Sequence, residues 1–325
     1  MAQLYEGKWV DSAPAAEEIG EDGQFRRIDS PLRDTISPDP DAEFPAEAGR
    51  YQLWVAWVCP WAGRTLAVRA LKGLEDVIAV SYAVPGLPKE GWVFPEGPDG
   101  PVEGGYPLHR LYVEHDPQFT GKVTVPTLWD RKTRRIVNNE SSEIIRILNT
   151  AFNGITGNEL DLYPEHLRGE IEHWNARIYP TLNNGVYRAG FATSQSAYEE
   201  AAYGVFAMLD EMERHLETSR YLAGQYCTEA DWRAFTTLVR FDSAYFGAFK
   251  CNLRRIDDYP ALSNYLRELY QWPGIAGTVK LSEIKFGYYQ LADKHRIVAI
   301  GPEVDLTAPH DRNRLPGKGI WEGAE

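Results

Sequence analysis

Between Arg50 and Val58 the chain is apolar almost without interruption, through Tyr51, Leu53, Trp54, Val55, Ala56 and Trp57. A short run of this kind, rich in aromatic and aliphatic side chains, predicts a buried strand. Cys59 and Pro60 follow, and then Leu66, Val68, Ala70, Leu71 and Leu74 continue at helical spacing. Proline is well placed in a first helical turn, where its missing N–H does no harm. The helix is therefore expected to begin at Pro60 and to end near Gly73. Residues 77–84, rich in Val, Ile and Tyr, read as a second strand. Strand, helix and strand make the smallest unit that gives a parallel pair with a crossover helix.

Residues 85–107 are crowded with Gly and Pro and read as a long surface loop, whose Trp92, Phe94 and Tyr106 suggest that it folds back over something. Residues 109–116 read as a short helical or extended piece. Two apolar runs, 123–130 and 136–139, flank the charged turn 131–135 and predict an antiparallel hairpin. Asn139-Glu140-Ser141-Ser142-Glu143 then precedes Ile144, Ile145, Ile147 and Leu148, a helix start with oxygen-bearing caps and acid in its first turn. After a polar linker at 153–163 the pattern is helical throughout, near 164–182, 195–217, 229–247, 260–271 and 274–292. Thr228-Glu229-Ala230-Asp231 has the form of a capping box. The expected organisation is an extended N-terminal arm (1–48), an α/β domain (49–152), an all-α domain (153–299) and a polar tail (300–325). Within the arm, the bulky and basic stretch 23–33 is expected to pack on the body of the protein.

Composition narrows the function. The 325 residues suffice for two modest domains. A net charge of -13 disfavours nucleic acid and anionic membrane surfaces as partners. No apolar run approaches a membrane span, and the first residues lack the basic-then-apolar order of a secretion signal, so an intracellular, cytoplasmic protein is expected. The seven histidines show no ligand spacing, and no metal is expected.

Of the three cysteines, Cys227 and Cys251 read as small buried hydrophobes. Cys59 differs because it stands at the mouth of a helix, where backbone N–H groups and the helix dipole favour thiolate over thiol. Ala62 occupies the position where a dithiol oxidoreductase would carry its second cysteine, so Cys59 must find its partner thiol in solution.

A strand leading into Cys59-Pro60-Trp61-Ala62, a later Thr124-Val125-Pro126, a Glu140-Ser141 helix start and an all-helical second half together resemble the cytosolic glutathione transferases. These pair a thioredoxin-like domain with an all-α domain. The resemblance is closer to the Xi class, the glutathionyl-hydroquinone reductases, and extends over nearly the whole chain, including the arm segment 23–33, Gly91-Trp92, the 184–191 stretch and Ile284-Lys285-Phe286-Gly287-Tyr288-Tyr289. It implies Cys59 as nucleophile, Val125 and Pro126 on the peptide of glutathione, Glu140 and Ser141 at its γ-glutamyl end, and Trp92 lying on the tripeptide. Lys122 stands where the family more often has Arg, which keeps the charge but loses the bidentate fork for a carboxylate. Tyr187 and Tyr288 (or Tyr289) would face an aromatic substrate.

The expected chemistry is deglutathionylation of an S-glutathionyl-hydroquinone through a mixed disulfide at Cys59, with glutathione as co-substrate and a homodimer as the assembly. Two other readings share these residues: the same chemistry with another small thiol such as mycothiol, and a non-catalytic binding protein on the same fold.

Overall fold

The computed structural model of the chain describes residues 3–10, 18–86, 88–292 and 297–323. The chain forms two units, Met1–Glu17 with Ile28–Asn158, and Glu18–Arg27 with Glu159–Glu325. The arm expected as one stretch is thus shared: residues 18–27 pack with the helical part and residues from Ile28 onward with the α/β part. The short helix Asn153–Thr156 stands in the expected linker.

The α/β unit opens with a hairpin, β1 (Gln3–Tyr5) and β2 (Lys8–Val10), where regular structure was not expected. Its sheet contains β3 (Tyr51–Val55), β4 (Ala79–Tyr82), β7 (Thr127–Asp130) and β8 (Arg135–Asn138), in the spatial order β4-β3-β7-β8. β3 runs parallel to β4 and antiparallel to β7. All five β3 residues are buried, which is why this strand reads as an unbroken apolar run rather than an alternating one. α1 (Pro60–Leu71) makes the crossover, and it packs against α3 (Ser141–Thr150). Buried Arg50 donates from Nε to Asp130 at 3.0 Å, and Asp130 also accepts from the Lys132 amide and the Thr133 hydroxyl, which closes the β7–β8 turn.

The region 85–107 is not a loop throughout. β5 (Val93–Gly97) and β6 (Gly100–Pro107) pair as an irregular hairpin, and α2 (His109–His115) follows. Its glycines and prolines masked the strand signal. What stabilises the hairpin is tertiary: Phe94 and Tyr106 pack on buried Trp54 of β3, at ring-centroid distances of 4.8 and 5.8 Å.

The helical unit comprises α5 (Arg168–Ile178), α6 (Gly185–Gly190), α7 (Gln195–Leu216), α8 (Glu229–Arg240), α9 (Phe246–Ala248), α10 (Pro260–Tyr270) and α11 (Leu281–Ala292), numbered after the short helix α4 at Asn153–Thr156. Every residue of α8 is buried, so the other helices are arranged around it. Two expected helices are interrupted by π turns, Tyr179–Asn183 after α5 and Phe241–Tyr245 after α8. The tail is anchored: buried Arg312 donates to the carbonyls of Leu216, Ser219 and Arg220. Among the described residues no helix is long and apolar enough to cross a membrane.

The capping box at the start of α8 forms as expected, and Asp231 does more than cap. Its carboxylate accepts from the amides of Thr228 (2.8 Å) and Leu222 (2.9 Å) and from the Tyr265 hydroxyl (2.7 Å), all buried. Asp231→Ala leaves these donors unpaired. It is expected to lower unfolding stability by about 3 kcal/mol or more, read as a fall in the urea midpoint; an unchanged midpoint would show that these bonds contribute nothing.

Candidate active site

β3 ends at Val55, three residues turn the chain, and Cys59 becomes the N-cap of α1 with extended backbone, φ -77 and ψ 118. The N-cap position leaves the first-turn amides without helical partners. The Ala62 N–H uses the sulfur, donating to Cys59 Sγ at 3.5 Å. The thiol in turn donates to the carbonyl of Val125 at 3.2 Å. The first contact favours a thiolate, and the second holds the protonated thiol in a fixed direction. Cys59 is only 8% exposed, enough for a sulfur to be reached from one side.

The Val125 carbonyl is held in place by a compact polar network. Val125-Pro126 is a cis peptide bond preceding β7. The Tyr112 hydroxyl lies 3.1 Å from both the Thr124 carbonyl and the Thr127 hydroxyl, and it accepts from Asn139 Nδ2 at 3.1 Å. Thr127 Oγ1 donates to the Thr124 carbonyl at 2.7 Å. Tyr112 on α2, Thr127 on β7 and the loop residues Thr124 and Asn139 therefore set the loop that meets Cys59. Tyr112 and Asn139 were not among the residues expected to matter; Asn139 showed only as a polar residue beside a helix start.

At the start of α3, Glu140 is the N-cap and its carboxylate accepts from the Ser142 amide (2.9 Å) and hydroxyl (2.8 Å). Ser141 is buried, and its hydroxyl accepts from Arg64 at 3.4 Å. Arg64 is itself buried on α1 and lies over the Trp61 ring. It brings a positive charge beside the helix start expected to meet the γ-glutamyl group. The sequence offered one signal for it, a lone charged residue between Pro60 and Val68. Lys122 is partly exposed, in the irregular stretch that leads to Val125.

Trp92 is half-buried and stands at the base of the β5–β6 hairpin, its carbonyl accepting from Leu108. The preceding turn is pinned by the N-terminal hairpin. Trp9 stacks on His109 at 4.8 Å, donates from its indole to the Lys89 carbonyl, and lies against Gly91, where a Cβ would come within 3.1 Å of the ring.

The tyrosines form a second constellation in the helical unit. The hydroxyls of Tyr187 and Tyr288 are 2.6 Å apart. Tyr187 is 9% exposed, whereas Tyr288 is almost wholly buried behind it. Tyr289 points elsewhere, its hydroxyl against Gly247 so closely that a Cβ there would lie 1.9 Å away. Among the described residues no group of three or more His, Cys, Asp or Glu side chains is placed to hold a metal ion.

A thioredoxin-like sheet with an N-cap thiol beside a cis-proline loop, joined in one chain to an all-α unit, defines a class, and comparison with known proteins agrees. Residues 58–151 match the glutathione S-transferase N-terminal domain and residues 195–268 the C-terminal domain. The chain belongs to the glutathione S-transferase family. Within it, the chain is 47% identical to the glutathionyl-hydroquinone reductase of Sphingobium chlorophenolicum, over 94% of this chain and 98% of that one. It also resembles a Xi-class transferase structure from Natrialba magadii, at a TM-score of 0.87 and 43% identity, covering 98% of each chain. A glutathione-bound transferase homologue from Escherichia coli superposes at a TM-score of 0.83 with 42% identity, covering 96% of this chain and 99% of that one.

The three cysteines should differ in reactivity. Burial pushes the Cys227 thiol well up and the Cys251 thiol up to about 12, and both side chains are inaccessible. Iodoacetamide at pH 8 is expected to label Cys59 first in the native protein, with the other two modified only on unfolding. Peptide mass spectrometry checks this, and equal labelling of all three would contradict the geometry.

Proposed function

We propose that this protein reduces S-glutathionyl-hydroquinones with glutathione, using Cys59 as nucleophile. The observation that carries the proposal is the Cys59 sulfur at the N-terminus of α1, within 3.2 Å of the Val125 carbonyl on the cis-proline loop. The named activity of the Sphingobium relative and the bound glutathione of the Escherichia coli homologue support the same reading.

In the first step the Cys59 thiolate attacks the sulfur of the glutathionyl group. The sulfur–aryl bond breaks, a disulfide forms between Cys59 and glutathione, and the electron pair left on the ring carbon takes a proton from Tyr187. In the second step a glutathione thiolate attacks the glutathione sulfur of that disulfide, releasing glutathione disulfide and the Cys59 thiolate. One thioether and one thiol are thereby converted to one hydroquinone and one disulfide.

Loss of the Cys59 proton also removes the donor to the Val125 carbonyl, so that carbonyl becomes available to the peptide of glutathione as the nucleophile is made. Glu140, Ser141, Trp92, Lys122 and Pro126 are assigned to glutathione in the same reading. Ser141 is supported by its bond to Arg64, which places a cation at the α3 N-terminus. A homodimer is part of the proposal and rests on family resemblance alone.

Cys59→Ala is expected to lower kcat/KM for a glutathionyl-hydroquinone by at least about a thousandfold. Wild-type protein mixed with the conjugate in the absence of further glutathione should gain the mass of one glutathionyl group, lost again on adding dithiothreitol. Full turnover by Cys59→Ala, or no adduct on the wild type, would sink the mechanism.

A further inference from the structure

β1 and β2 are joined by the two-residue turn Glu6-Gly7, with φ of 47° and 73°, the pattern of a tight hairpin turn. Two strands alone are marginal in water, so this hairpin owes its place to what it docks on. On one side, the wholly buried Leu4 exchanges two main-chain bonds with Gly121, at 3.0 and 2.9 Å. The Gly7 amide donates to the Phe119 carbonyl at 3.0 Å, and the Glu6 amide to the Thr120 hydroxyl at 2.9 Å. On the other side, Trp9 donates from its indole to the Lys89 carbonyl at 3.0 Å, covers Gly91, and stacks on His109 with 17° between the ring planes.

These contacts fall beside two residues assigned above to glutathione. Gly91 immediately precedes Trp92, and Gly121 immediately precedes Lys122. Residues 88–92 and 122–126 belong to no helix or strand. A segment without a ladder of its own takes its position from what it touches. Trp92 is held on its far side, where its carbonyl accepts from the Leu108 amide at 2.8 Å, one residue before His109. Trp9 supplies the hold on the near side, and its ring spans from Gly91 to His109, so it fixes both approaches to the Trp92 backbone.

We propose that the N-terminal hairpin is a buckle that sets the Trp92 turn before glutathione arrives, with Trp9 as the positioning residue. This rests on Trp92 lying on glutathione. Trp9 itself touches neither glutathione nor the thiol in this role. It acts by ordering the turn in advance, so that the ordering does not have to be met out of the binding free energy. The hairpin is seated through β1 on the segment that leads to Lys122 and Val125, which gives the Trp92 turn a fixed distance from the loop that meets Cys59. Removing the indole leaves Cys59, Val125 and the α3 start unchanged, so the loss falls on binding rather than on the chemical step.

The test uses the full chain, with glutathione as the probe and its Kd read by calorimetry in the absence of any hydroquinone. Trp9→Ala is expected to raise the Kd about fivefold. With the conjugate as substrate, KM should rise in step while kcat stays little changed. Trp9→Phe, which keeps a ring on His109 but has no N–H for the Lys89 carbonyl, should recover part of the loss. Trp92→Ala should itself weaken glutathione, and adding Trp9→Ala to it should change the Kd by less than about twofold, because the two residues act as one unit. Wild-type affinity in Trp9→Ala overturns the proposal. So does a full further loss from Trp9→Ala in the Trp92→Ala background, since Trp9 would then act by another route. If Trp9→Ala does not fold, Trp9→Phe decides by the same readings. A wild-type protein that fails to bind glutathione would instead overturn glutathione as co-substrate, and this inference with it.

Discussion

Cys59 and Val125 are 66 residues apart in the chain, yet the sulfur of one reaches the carbonyl of the other at 3.2 Å. That contact requires β3 and β7 to pair in register, Trp54 opposite Thr127 and Tyr51 opposite Asp130. A slip of one residue would turn every side chain of β3 to the other face and carry the thiol away from the loop. The register is held at one end by the buried Arg50–Asp130 pair and at the other by the Tyr112, Thr124, Thr127 and Asn139 network. The chemistry of the thiol therefore depends on the pairing of two buried strands, and the polar groups at both ends penalise any other alignment.

The helical unit solves a related problem with phenols. Tyr187, Tyr245 and Tyr288 bring three hydroxyls into an aromatic interior that also includes Phe191 and Phe249. A buried hydroxyl is costly unless paired, and these three pair with one another. Tyr288 is the link, and Tyr187 alone keeps an opening to solvent. Interruption of two helices by π turns is the geometric condition for this, since a regular continuation of either helix would direct these side chains differently.

The ends of the chain are structural as well. Residues 18–27 bring Phe25 and Arg27 onto the aromatic cluster, while Trp9 pins the turn that leads to Trp92. In the last part of the chain, Arg312 supplies donors to three carbonyls that end helix α7 and the turn after it. Truncated versions of this protein would lose these contacts before losing any residue assigned to the reaction.

Periodicity and local chemistry by themselves determined the strand at β3, the helix that begins after Cys59, the β7–β8 hairpin, the α3 start at Glu140 and the capping box of α8. Each is written in adjacent residues, so no long-range information is needed. The motif order also carried the family. The β5–β6 hairpin was hidden because its strands are stabilised by Trp54 rather than by their own composition, and the β1–β2 hairpin was hidden among polar residues. Arg64, Tyr112, Asn139, Arg27 and Tyr245 could not be singled out either. Each acts by reaching a partner on another element, and only the tertiary structure decides which element that is.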